Sequence, residues 1–245
     1  FQGQIHGKSL LLVNTMIGHI SLDIETANLD MEAEGLKFDD PQGWKTAVVC
    51  VHVAPYHSVA DPMDFIYVAD NVLEEVRSKC PINMNQRIHP FSKFAGHLAD
   101  WRDCGFMLLT HNGLGFDLPI ISKSIKDGGL GVHSILESWP PSIMMDTCFV
   151  LKETTGVRYR LNHLIHGLLG EESSKLMDAA NAPKEWAKKN YEEVIRYCID
   201  DTRKTLAVYK TAWKEGRFRA IGKDEYVDVP LLEYLESWLK WQNAI

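Results

Sequence analysis

The chain lacks any apolar run approaching the roughly 18–20 residues that a membrane helix requires. Its longest candidate, Ser9–Val13, is far too short. No stretch combines the basic start, apolar middle and small-residue cleavage site of a secretory signal. Cysteine is scarce: Cys50, Cys80, Cys104, Cys148 and Cys198 are odd in number, and no two form a C-x-x-C pair. A disulfide framework or a zinc ribbon is therefore not expected, whereas an intracellular, cytoplasmic setting is. Positive charge is not in surplus either. The formal net charge is -7, which does not suit a protein built to coat DNA. Internal repeats and low-complexity linkers are absent, and the opening Phe1-Gln2-Gly3, with no Met, reads as the scar of a removed tag.

What is there suits a globular α/β protein. The 245 residues are 45% hydrophobic and 24% charged, enough to bury a sizeable core. One main domain is expected over residues 4–215, with residues 216–245 appended to it as a hairpin and helix. Charge is unevenly spread. Between Val150 and Ala220, 14 Lys/Arg stand against 10 Asp/Glu, a local excess of +4 that leaves -11 for the rest. An acidic enzyme can still bind nucleic acid where cations neutralise both its carboxylates and the phosphates. Such an enzyme needs only a local basic rim, for which Arg158, Arg160, Lys188, Lys189, Arg196, Arg203 and Lys204 are candidates.

Periodicity gives strands at Ile17–Ile24, Thr46–Val53, Asp64–Val68, Phe106–His111 and Ile143–Asp146. Helices are expected at Val72–Ser78, at Pro90–Arg102 with Pro90 at its start, and at Leu118–Lys126, stopped by Gly128-Gly129. Leu161–Leu169, Lys184–Lys188 and the long Tyr191–Lys214 follow. Arg217–Ile221 and Tyr226–Val229 read as a hairpin around Gly222–Glu225, before a Trp-rich helix at Leu231–Trp241. Asn28–Gly43 reads as an acidic surface loop. Strands first and β/α alternation afterwards predict a mixed sheet flanked by helices.

Three acidic clusters stand out. In Ser21-Leu22-Asp23-Ile24-Glu25-Thr26, the two acids share one face of a strand. Adjacent carboxylates repel and are eased by a cation, although a D-x-E is also an ordinary solvated strand end. In Asn112-Gly113-Leu114-Gly115-Phe116-Asp117, two glycines permit a tight loop before a helix. There Asp117, taken alone, reads first as a helix cap. On the long helix, Tyr197 and Asp201 are four apart and so lie on one face. Asp200 points elsewhere, to solvent or a salt bridge. His163 and His166 have ligand-like spacing but no acidic or cysteine partner.

The ordered set D-x-E, N-x-x-x-F-D and Y-x-x-x-D resembles the DEDDy group of 3'→5' exonucleases, which includes proofreading domains of DNA polymerases. The stretches Leu161–Gly170 and Ala182–Trp186, with Tyr197-Cys198 and Asp201-Thr202, look like the helicase-associated and B-family-polymerase-related branch. The likeness runs from about Ile17 to Tyr209 and more faintly through Gly216–Pro230.

That resemblance implies a ribonuclease H-like fold and metal ligation by Asp23, Glu25, Asp117 and Asp201. It implies that Tyr197 aims the attacking water, where the sister group has histidine. The expected cofactors are two divalent cations, Mg²⁺ or Mn²⁺, about 3.5–4 Å apart, a preference that an all-carboxylate donor set matches. Asp23 is expected to bridge both ions, Glu25 and Asp201 to hold the one that acidifies the water, and Asp117 to support the one at the leaving group. The expected partner is the single-stranded 3' end of a nucleic acid, DNA rather than RNA, with a larger replication or repair assembly as a possible setting. Thr26, Asn112 and Phe116 are candidate neighbours of the terminal nucleotide, and Lys188 and Lys189 candidate contacts to its backbone. Two other readings remain open: a ribonuclease H-like endonuclease, and a non-catalytic module that binds nucleic acid or a protein.

Overall fold

The computed structural model describes residues 17–38, 40–56, 61–125, 131–170, 176–221 and 226–242. Six strands form one mixed sheet: β1 (Gly18–Thr26), β2 (Thr46–Pro55), β3 (Met63–Val68), β4 (Gln86–Pro90), β5 (Met107–Thr110) and β6 (Met144–Asp146). Their order across the sheet is β4-β3-β2-β1-β5-β6. The β1–β2 and β2–β3 pairs are antiparallel, whereas β5 runs parallel to β1, β6 to β5 and β4 to β3. An antiparallel meander extended by parallel strands beside β1 is the ribonuclease H-like arrangement, here with β4 added at the outer edge.

The helices among the described residues are α1 (Leu73–Lys79), α2 (Phe94–Asp103), α3 (Asp117–Ser124), α4 (Val132–Glu137), α5 (Thr147–Thr155), α6 (Leu161–Leu169), α7 (Ala182–Ala187), α8 (Tyr191–Glu215) and α9 (Leu231–Gln242). None is long and apolar enough to cross a membrane. Two apolar clusters sandwich the central strands, as the two-residue period of a strand dictates. Ile20, Leu22 and Ile24 of β1 and Val49, Val51 and Val53 of β2 join Leu98 and Trp101 of α2 and Ile121 of α3. Val48 and Cys50 of β2, with Ile66 and Val68 of β3, meet Val194, Ile195, Tyr197 and Cys198 of α8. Helix α8 thus lies across the sheet face that also carries Ser21, Asp23 and Glu25.

Strands β7 (Arg217–Ile221) and β8 (Tyr226–Pro230) form the expected hairpin as a separate two-stranded sheet. Phe218 packs at a tilt against Tyr234 of α9, ring centroids 4.4 Å apart, and both belong to the main core. Gly167 of α6 lets β7 approach: an added Cβ would lie 2.3 Å from the Arg219 carbonyl oxygen. The Gly128-Gly129 helix stop, the hairpin turn at 222–225, residues 1–3 and the side chains of Trp238 and Trp241 lie outside the described residues.

Three differences from the sequence reading have local causes. The helix expected from Pro90 begins at Phe94, because Pro90 is extended (φ -70°, ψ 154°) and closes β4. Strand β4 buries only Ile88 of its five residues, so it carries no alternation to read. Helix α5, Thr-Cys-Phe-Val-Leu-Lys-Glu-Thr-Thr, is rich in weak helix formers. It starts where the Asp146 side chain accepts from the Phe149 N–H.

Candidate active site

Strand β1 runs through to Thr26, so Asp23 and Glu25 sit inside it rather than past its end. Asp23 faces Cys50 in register and Glu25 faces Val48, with an irregularity immediately after Glu25. From across the sheet, the Cys198 thiol of α8 reaches the Asp23 carbonyl oxygen at 3.5 Å and Oδ2 at 3.7 Å. This close seating brings the next turn of α8 onto the same spot. Ligand atoms of Asp23, Glu25 and Asp201 all lie within 4.8 Å of one another. Glu25 and Asp201 are buried and Asp23 is half-buried.

Tyr197, one helical turn before Asp201, is 1% exposed and hydrogen-bonds to the Asp201 side chain. Burial raises its phenol pKa well above the usual value, and the negative charges of Asp201, Glu25 and Asp23 raise it further. The phenol therefore stays protonated at neutral pH. Asp200 points away and pairs with Lys204 at 2.7 Å, as its offset on the helix predicts.

Asp117 lies outside that set of three. It is buried as the first residue of α3, with Phe116 at the cap position and no side-chain capping bond. The loop before it is tight. Asn112 is left-handed (φ 68°), and a Cβ on Gly113 would fall 2.5 Å from the Thr110 side chain. Phe116 packs edge-on against Trp44 at 5.0 Å and beside Phe38 at 5.7 Å. Thr26 is buried at the end of β1.

The expected basic rim is largely engaged by acids. Lys188 pairs with Glu185 at 2.7 Å and Lys189 with Glu75 at 2.9 Å. Both lysines precede the start of α8, whereas Asp201 is ten residues into it, about 15 Å along the axis. Arg203 pairs with Asp64 at 2.5 Å. Among the described residues, Arg158, Arg160 and Arg196 form no ion pair.

Sequence reasoning missed two participants. Cys198 touches Asp23, a contact no motif announces. Asp146 is buried and holds the loop that carries Asp117; its signal was an acid ending a short apolar strand directly before a helix.

Could these residues hold a metal ion? Three carboxylates converge on one point, and their hard oxygen donors suit Mg²⁺ or Mn²⁺. The neighbouring Cys198 thiol is a soft donor, which such hard cations do not favour. Burial pushes the Cys198 pKa well up, and its hydrogen bond to Cys50 and the negative charges of Asp23 and Glu25 add to that. The donor set therefore fits a hard divalent cation.

No protein-family model matches the chain, and neither does any curated protein. Among solved structures it is similar to the family B DNA polymerase of the hyperthermophilic archaeon Pyrobaculum calidifontis, with 13% identity, TM-score 0.48, and coverage of 80% of this chain and 24% of that one. It is similar to the zinc-bound E. coli ExoI–ssDNA complex, with 14% identity, TM-score 0.41, and coverage of 82% and 41%. A third is the RNA exonuclease module of Saccharomyces cerevisiae Pan2 with AAGGAA RNA, with 16% identity, TM-score 0.37, and coverage of 82% and 33%. The chain spans less than half the length of each.

Proposed function

We propose that the chain is a metal-dependent 3'→5' exonuclease that hydrolyses phosphodiester bonds at the end of single-stranded nucleic acid, DNA rather than RNA, and releases 5'-mononucleotides. The observation that carries this reading is the convergence of Asp23, Glu25 and Asp201 beneath a buried tyrosine hydrogen-bonded to one of them. The resemblance of the three motifs to the DEDDy exonucleases supplies the direction of attack and the nucleotide product.

In this reading Asp23, Glu25 and Asp201 would hold divalent cations, with Asp117 at the start of α3 as a fourth ligand. When bound, such ions neutralise charge on the scissile phosphate and make a water acidic enough to attack it. The protein's own groups set the geometry. Strand β1 fixes two carboxylates and α8 a third, so the ligands ride on regular elements rather than on a flexible loop. Tyr197 keeps its proton and presents a polar O–H beside Asp201, suited to orienting the attacking water rather than deprotonating it. Thr26, Asn112 and Phe116 are placed in this reading against the terminal nucleotide.

An oligonucleotide labelled at its 5' end and incubated with Mn²⁺ tests the reading. Stepwise shortening is the expected result, abolished by EDTA and by Asp23→Asn. Internal cuts would make the protein an endonuclease, and an unchanged oligonucleotide a binding module. The same assay on single-stranded DNA, duplex DNA and RNA sets the substrate class.

A further inference from the structure

Asp146 is 0% exposed and every lone-pair direction of its carboxylate points at a donor. Oδ1 accepts from the backbone N–H of Asn112 at 2.9 Å and of Phe149 at 2.9 Å. Oδ2 accepts from the N–H of Leu114 at 2.9 Å and from the Thr110 hydroxyl at 3.2 Å. Three of these four donors lie between the end of β5 and Asp117. The adjacent Thr147 adds a second grip: its hydroxyl meets His111 Nδ1 at 2.8 Å and donates to the Thr110 carbonyl at 3.3 Å.

We propose that Asp146 is the positioning residue for Asp117, acting through the Thr110–Phe116 loop. An ionised carboxylate makes stronger hydrogen bonds to N–H groups than a neutral acceptor does. Here those bonds fix a segment with a left-handed Asn112 (φ 68°). The loop then closes on itself, Gly115 N–H to the Asn112 carbonyl at 3.2 Å and Leu118 N–H to the Gly113 carbonyl at 2.9 Å. The second of these bonds ends at the residue directly after Asp117, so the register of the α3 start follows from the loop. Asp146 is not itself a ligand, because both its oxygens are spent on the protein. That Asp117 binds metal rests on the exonuclease reading; that Asp146 shapes the loop does not.

The test is Asp146→Asn, which keeps the shape but turns one acceptor into an NH₂ facing N–H donors. Loss of a group supporting a ligand typically costs about 10–100-fold in metal affinity or activity. We expect a kcat loss of that size with KM nearly unchanged, and a matching loss of Mn²⁺ affinity by electron paramagnetic resonance. In an Asp117→Ala background, Asp146→Asn should add less than about twofold to either, because residues acting as a unit are not additive. Equal losses in both backgrounds would show a merely structural role and overturn the proposal. A protein inactive even as wild type would refute the exonuclease reading alone. The loop claim would still be decided by amide exchange, expected to rise about tenfold or more at Asn112 and Leu114 but not in β1; unchanged exchange there overturns it. If Asp146→Asn does not fold, Thr110→Val removes one donor and should move the same readouts in the same direction by a few-fold.

Discussion

Helix α8 meets the acids of one sheet face at two places, the Asp23–Glu25 pair and the lone Asp64, and does so in opposite ways. Over β1 it adds Asp201 to Asp23 and Glu25, gathering like charges within 4.8 Å. Over β3, half a turn further along, it delivers Arg203 to Asp64, whose two oxygens also take His52 Nδ1–H at 2.8 Å and Gln86 Nε2–H at 3.4 Å. Burial pushes the Asp64 carboxyl pKa up. The His52 and Arg203 hydrogen bonds and charges more than offset this, and the net shift is downward. The same helix and the same sheet therefore build a pairing that stabilises the fold and a crowding that does not. Crowded acids need a reason outside folding, and a bound cation is the simplest chemical one.

The comparison breaks first at its largest effect. Asp201→Asn should lower the rate of oligonucleotide shortening by more than about 10³-fold, while raising or sparing stability, by up to about 2 kcal/mol. A variant that stays active, or that unfolds, would make Asp201 a structural residue like Asp64. Tyr197→Phe removes one polar contact and keeps the ring. It should cost roughly 10–10³-fold in single-turnover rate with Mn²⁺ affinity intact; a wild-type rate at every Mn²⁺ concentration would leave the tyrosine as packing only.

Asp64→Asn is the converse case. It should destabilise by about 1.5–3 kcal/mol in urea, the usual worth of hydrogen bonds to a charged group, with the rate per folded molecule unchanged. Its pH dependence has a definite sign. A carboxyl whose pKa is lowered by folding contributes stability above its ordinary value near 3.8, and loses it as pH falls through the folded value. The stability gap between wild type and Asp64→Asn should therefore be flat near neutrality and close below pH 3.8. The smallest effect is expected at Lys188 and Lys189. Each is exposed and already paired with a glutamate, so replacing both with Ala should change KM by no more than about threefold. A larger rise would mean that substrate pulls them off Glu185 and Glu75.

The sequence made the central strands legible because each has an apolar face, and α8 because its 25 residues hold one apolar stripe throughout. The D-x-E spacing correctly put Asp23 and Glu25 on one face, and the four-residue spacing put Tyr197 beside Asp201. It could not reveal that Asp64, an unremarked acid at the start of a strand, is paired with an arginine 139 positions away. The acid that ends the Ile143–Asp146 run was visible, but not that it folds a loop 34 positions before it. Those are long-range pairings between polar groups, and polar side chains leave no periodic trace. Strand β4 and helices α4 and α5 escaped for a related reason: they are short, and their neighbours rather than their own residues decide their shape.

Cys198 touches Asp23 across 175 positions of chain, and that separation is also a separation in time. At roughly 5–20 residues per second of synthesis, β1 leaves the ribosome about 9 to 35 seconds before α8 does. Through that interval the newborn chain carries two of the three converging acids and nothing opposite them. The third arrives on a helix that also completes the packing against β2 and β3. Assembly of the three-acid cluster and completion of that packing are thus one event.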